Sequence, residues 1–170
     1  MPAYVALLRA VNVGGTGKLP MTDFKAMCVK SGWEKVQTYI ASGNVVFTAK
    51  DAPAKVKAKL EKQLLEYAGK PVGVLIRTAE EIAAVLKANP FPDAAPNRTV
   101  AIFFDEAPPP DAIRNLKGLK NEQLRLGTRE IYVHYGDGMA DSTLVIPAAK
   151  HGTARNMNTV ARLTAMAAAL

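Results

Sequence analysis

Val36-Gln37-Thr38-Tyr39-Ile40-Ala41-Ser42-Gly43-Asn44-Val45-Val46-Phe47-Thr48 is the stretch that decides the fold of this 170-residue chain. Its β-branched and aromatic residues read as two strands, 36–41 and 44–48, with Ser42-Gly43 as the tight turn between them. Upstream of this hairpin, Phe24, Met27 and Cys28 recur at helical spacing between Pro20 and Gly32, which predicts a helix over 21–30. Before that helix, Tyr4 to Leu8 is a short apolar run, read as a first strand. Downstream, Val56, Leu60, Leu64 and Tyr67 form the apolar stripe of a helix over 53–67. Its outer face mixes Glu61 and Glu66 with Lys57, Lys59, Lys62 and Lys70, as expected of a solvated, salt-bridged surface. Gly69-Lys70-Pro71 then turns the chain into a strand over 72–77. The order is β-α-β-β-α-β, that of a ferredoxin-like unit.

The remainder follows a related pattern without repeating the residues. A helix is expected over 78–87, and Pro90, Pro92 and Pro96 mark 89–97 as a connection. A strand is expected over 99–105, and the prolines at 108–110 are read as opening a short helix. Residues 123–126 and 130–135 read as a second hairpin, turned at Gly127-Thr128, and a last helix is expected over 154–168. The expectation is an α+β protein, with a ferredoxin-like half at 1–78 and a second, related α/β half at 79–170 packed with the first.

Composition narrows the class. Apolar residues make up 49% and charged residues 22%, the balance of a globular domain. Cys28 is the only cysteine, so an internal disulfide is impossible and a reducing, cytoplasmic setting is expected. No apolar run approaches the roughly 20 residues needed to span a bilayer, and Met1-Pro2-Ala3-Tyr4 lacks the basic start of a signal peptide. A membrane is therefore not expected as a partner. The net charge of +7 favours anionic partners, either a phosphate-bearing small molecule or nucleic acid.

Three segments carry a resemblance that runs over nearly the whole chain. They are Leu7-Leu8-Arg9-Ala10-Val11-Asn12-Val13-Gly14-Gly15, Thr38-Tyr39-Ile40-Ala41-Ser42-Gly43-Asn44-Val45-Val46-Phe47 and Gly152-Thr153-Ala154-Arg155-Asn156-Met157-Asn158-Thr159-Val160. In this order they resemble the bacterial family of domain of unknown function 1697. The resemblance implies a shared fold and an intracellular location, and names no activity. Met157 stands where the resemblance would put tryptophan; it keeps an apolar contact and lacks the indole N–H.

Four places could hold a ligand. The loop after the first strand carries Asn12, Gly14, Gly15, Gly17 and Lys18, where glycines would let backbone amides approach a phosphate. It fits neither the P-loop nor the dinucleotide fingerprint, since Asn12, Leu19 and Pro20 occupy positions those templates reserve for other residues. A plain strand-to-helix connection and a non-standard anion loop both fit. Arg9 follows the apolar run, where an arginine either finds a buried partner or holds a ligand at the strand end. The ferredoxin-like topology brings the end of strand one to the sheet edge where Ser42, Gly43 and Asn44 turn. In the last segment, Thr153 reads as a helix N-cap, with Arg155, Asn156 and Asn158 in or near the first turn. A cation there opposes the helix dipole, a conflict that a bound anion, an ion pair or solvent would relieve.

Other residues fit structural roles better. His134 alternates within a strand, and Cys28 lies on an apolar helix face. His151 is the better acid/base candidate of the two histidines, but no general base is assigned. Two histidines and one cysteine offer no metal-ligand spacing, and the sequence leaves any cofactor unknown. The leading expectation is a small-anion or nucleotide-binding protein, extending to action on a phosphorylated substrate. Two alternatives fit the same residues: a nucleic-acid-binding protein, and a protein-interaction module or homodimer. The sequence fixes no oligomeric state.

Overall fold

The computed structural model describes residues 1–9, 18–136, 138–139 and 142–170. The expected opening elements form as β1 (Ala3–Leu8), α1 (Met21–Lys30), β2 (Glu34–Thr38), β3 (Asn44–Thr48), α2 (Pro53–Ala68) and β4 (Val74–Thr78). They build a four-stranded sheet in the order β2-β3-β1-β4. Every described pairing in it is antiparallel, with Leu7 opposite both Asn44 on β3 and Leu75 on β4. Tyr4, Ala6 and Leu8 alternate onto one face and pack with Phe24 and Cys28 of α1 and with Val56, Leu60 and Leu64 of α2. Phe47 stacks on Trp33 in the same layer, with ring centroids 4.2 Å apart. Val5, Leu7, Val46 and Leu75 alternate to the opposite face and are also buried. Burial on both sides explains why β1 is an unbroken apolar run.

Two local expectations change here. β2 ends at Thr38 rather than Ala41, because Ile40 adopts a left-handed φ of 51° and the amide of Tyr39 bonds the carbonyl of Asn44. Tyr67 leaves the apolar stripe of α2; it is exposed, and its hydroxyl donates to Asp23 at 2.8 Å.

After β4 come α3 (Ala79–Lys87), a short 3-10 turn (Pro96–Arg98), β5 (Thr99–Phe103), β6 (Gln123–Leu126), β7 (Glu130–His134), a second 3-10 turn (Pro147–His151), β8 (Thr153–Asn156) and α4 (Met157–Ala168). The second sheet has the order β6-β7-β5-β8 and is again antiparallel in each described pairing. If β5 to β8 are numbered as the first four strands, the two sheets have the same order. No helix forms after the prolines at 108–110. The chain makes turns there, with the amides of Ala112 and Arg114 bonding the carbonyls of Pro109 and Asp111. Three prolines supply no amide hydrogens, and a lone turn does not recover the cost of helix nucleation. Val100, Ile102, Leu124, Ile131 and Val133 are therefore covered by loop residues such as Ala112, Leu116 and Leu144.

The start of the last helix is also corrected. Residues 153–156 are strand, with Phe103 opposite Thr153 and Val100 opposite Asn156, and α4 begins at Met157. Asn156, not Thr153, caps it, its Oδ1 accepting the amide of Thr159 at 2.9 Å. The buried stripe of α4 is Met157, Val160, Leu163, Met166 and Ala167, while Ala161 and Ala168 are exposed.

The chain divides into two compact units. Met1–Ile82 with Leu163–Leu170 form unit 1, and Ala83–Arg162 form unit 2. Among the described residues, no helix is long and apolar enough to cross a membrane.

Candidate functional site

In unit 1, Arg9 and the turn of Ser42, Gly43 and Asn44 lie at the sheet end where β1 finishes. The amide of Leu8 bonds the carbonyl of Gly43 at 2.9 Å, and the amide of Arg9 bonds the carbonyl of Gly73 at 2.9 Å. Three segments thus meet: the end of β1, the β2–β3 turn and the entry to β4. Gly43 sits at φ 90°, a conformation that favours glycine, and its amide reaches back to the carbonyl of Ile40. Asn44 is fully buried beneath the turn. Its Nδ2 donates to the Tyr39 carbonyl and to Ser42 Oγ, both at 2.9 Å, so it holds the tip in shape. Ser42 is exposed on the turn, and Arg9 is half-buried.

Gly73 explains how Arg9 is held. A β-carbon on Gly73 would lie 2.8 Å from Arg9 Cδ and 3.3 Å from its Cβ and Cγ. The aliphatic stem of Arg9 therefore lies across the bare backbone of Gly73. Sequence reasoning missed this contact; the only signal was a glycine directly before an apolar strand. Lys18 is exposed just ahead of Pro20, while Leu19 beside it is buried in the core. Asn12, Gly14 and Gly15 lie outside the described residues.

In unit 2, the segment expected to bind an anion at a helix end has a different geometry. Arg155 is on β8, opposite Ala101, and is buried. Its Nη1 donates to Thr153 Oγ1 at 2.8 Å and to the Ala154 carbonyl at 2.9 Å. Burial away from water pulls its pKa down to about 10. The dipole conflict is thus absent, since Arg155 precedes the helix and is engaged by its own strand. Asn156 is the helix cap, and Asn158 is exposed in the first turn of α4. Met157 is buried, as an apolar contact requires.

The residues given structural roles keep them. His134 Nδ1 lies 3.3 Å from Thr99 Oγ1, and its ring packs beside Phe91. Cys28 is buried, and desolvation pushes its thiol up to about 12. Among the described residues, no group of three or more His, Cys, Asp or Glu is placed to hold a metal ion.

The conserved bacterial protein SP0830 from Streptococcus pneumoniae has a solved structure similar to this one, with a TM-score of 0.80 and 26% sequence identity. The similarity covers 97% of this chain and 98% of that one. No curated protein matches the chain. Residues 1–132 match the family described as "Protein of unknown function (DUF1697)". That match spans well over half of the sequence and takes in β1, the β2–β3 turn and Gly73, so the chain belongs to the DUF1697 family.

Proposed function

We propose that the chain binds a small phosphate-bearing anion, of the nucleotide or phosphorylated-metabolite class, at the end of β1. The observation that carries this reading is the placement of Arg9. Its stem rests on Gly73, and its amide is tied to the entry of β4. Holding the stem reduces the rotamer entropy lost when the guanidinium engages a ligand. The β2–β3 turn next to it offers the exposed Ser42 hydroxyl, and Lys18 adds charge from the start of α1. Asn44 maintains the shape of the turn. We further read both sheets as ferredoxin-like, on the strength of their shared strand order, and the protein as cytoplasmic, on its single buried cysteine.

The test is thermal unfolding against phosphate, nucleotides and phosphorylated metabolites. A ligand at about 100 times its Kd should stabilise the fold by about 2.7 kcal/mol, a shift of several degrees. Arg9→Ala should remove that shift while leaving the unliganded midpoint close to wild type. A midpoint that no small anion moves, in wild type as in the variant, would defeat the proposal.

Nucleic-acid binding is the second reading, because unit 1 carries 12 Lys and Arg against 7 Asp and Glu. Short DNA and RNA oligomers belong in the same panel. A shift produced only by them, and lost steeply as salt is added, would favour that reading.

A further inference from the structure

Unit 1 carries a groove between α1 and α2. It consists of two hollows, of about 300 and 320 Å³, that share Lys30, Gln63 and Glu66 as walls. A side-chain hydrogen bond joins the two helices in each hollow. Gln63 Nε2 donates to Ser31 Oγ at 3.3 Å in the first, and Tyr67 Oη donates to Asp23 Oδ2 at 2.8 Å in the second.

The hollows differ in chemistry. The first is walled by Lys30, Lys59 and Lys62. Lys59 is paired with Asp51 at 2.8 Å. Lys30 and Lys62 are exposed, and neither is paired with a carboxylate among the described residues. The second hollow holds the Tyr67 ring, which is 47% exposed, together with the carboxylates of Asp23 and Glu66. The bond to Asp23 ties Tyr67 at its hydroxyl and leaves the ring open to solvent.

A fixed, exposed aromatic ring is a platform on which a nucleobase stacks, and ammonium groups beside it neutralise backbone phosphates. The carboxylates repel a phosphate but accept hydrogen bonds from the amino group of a base such as cytosine. The spacing follows from α2 itself. Lys59 and Tyr67 are eight residues apart on one continuous helix, about 12 Å along its axis at 1.5 Å per residue. A stacked strand advances about 3.4 Å per nucleotide, so about three or four nucleotides cover that length.

We propose that this groove binds a short single-stranded stretch of nucleic acid. One base stacks on Tyr67 with its amino group toward Asp23 and Glu66, and the adjoining phosphates lie on Lys30 and Lys62. The proposal rests on the nucleic-acid reading and gives it a place that does not involve Arg9.

The experiment is fluorescence anisotropy of short labelled oligo-cytidine and oligo-thymidine strands with the full chain, over a series of salt concentrations. Oligo-cytidine should bind more tightly, and its DNA and RNA forms compare the two sources of strand. Tyr67→Ala should weaken binding at least about fivefold, and Tyr67→Phe, which keeps the ring, should retain most of the affinity. A Lys30→Gln, Lys62→Gln double variant should reduce the slope of log affinity against log salt by about 1.4, the share of two phosphate contacts on a single strand. All three positions are exposed, so an unchanged unfolding midpoint serves as the folding control. If the wild type binds no oligomer, the groove and the nucleic-acid reading fall together. If it binds, but the Tyr67→Ala and double-lysine variants bind as well with the same salt slope, or cytidine and thymidine strands bind alike, the groove falls and the reading stands. Displacement by poly-glutamate as readily as by unlabelled strand would point to an acidic polypeptide and overturn both.

Discussion

Arg77 and Arg155 occupy the same place in two different sheets. Each lies on the fourth strand of its sheet, opposite the same position of the first strand: Val5 for Arg77 and Ala101 for Arg155. Each is buried, and each donates from Nη1 to the carbonyl of the preceding residue, at 3.1 Å and 2.9 Å. Each directly precedes the residue that starts a helix. Thr78 accepts the amide of Glu81 and returns its own amide to that carboxylate, and Asn156 caps α4. The repeat that is faint in the sequence is therefore exact in register at this point.

Arg155→Ala should destabilise the protein by about 1–3 kcal/mol, since it removes a buried guanidinium and with it the donor to the Ala154 carbonyl and the Thr153 hydroxyl. Arg155→Lys should recover only part of that loss, because an ammonium is more strongly hydrated than a guanidinium and costs more to bury. Urea unfolding midpoints check both.

Gly73→Ala and Gly152→Ala should behave differently although both crowd their neighbours. At Gly73 the new methyl meets the flexible stem of Arg9, so stability should change by less than about 1 kcal/mol while the small-anion response falls. At Gly152 it meets the Phe103 carbonyl and the buried Ile102 and Phe104 side chains, and the cost should be about 1–3 kcal/mol. Denaturant melts paired with the anion panel separate the two effects.

Ile40→Asn should raise stability. Ile40 is β-branched, about half exposed, and held at φ 51°. Left-handed backbone costs an ordinary L-residue about 1–2 kcal/mol, and asparagine tolerates it better. A gain of about 1 kcal/mol corresponds to about 2–4 °C in a chain of this size. A lower melting temperature would mean that Ile40 makes contacts worth more than its strain.

Stability should fall above about pH 9. Burial raises the Cys28 thiol from an ordinary 9.0 to about 12 and, together with Glu130, the Tyr132 phenol from 10.0 to about 12. Unfolded chains ionise at the lower values, so they bind fewer protons than the fold between about pH 9 and 12. Stability from these groups is full below the unfolded values and is lost as the pH approaches 12, at no more than about 1.4 kcal/mol per pH unit for each group. Cys28→Ala and Tyr132→Phe should each flatten this alkaline slope in pH-dependent unfolding. A thiol reagent at pH 8 should reach Cys28 only after denaturation.

The parts of the fold legible in the sequence are those with an apolar signature of their own. β1, α1, the β2–β3 hairpin, α2 and β4 announce themselves by periodicity and by turn residues. β8 does not. Thr153-Ala154-Arg155-Asn156 contains a single apolar residue, and its extended backbone is specified by pairing with β5, some fifty residues upstream. A strand set by a distant partner, directly before a helix, is read as part of that helix. The same limit applies at the candidate site. Topology brought the end of β1 to the β2–β3 turn, as the Leu8–Gly43 hydrogen bond shows. The contact between Arg9 and Gly73 depends on the register of β4, which no local pattern encodes.

The division of the chain bears on how it is made. Leu163–Leu170 belong with unit 1, whose other residues end at Ile82. All of unit 2 is therefore translated between the two pieces. As the nascent chain leaves the ribosome, unit 2 has its full complement of residues while unit 1 still lacks the end of α4, including the buried Leu163, Met166 and Ala167. Unit 1 therefore receives its last residues only after all of unit 2 has been synthesised.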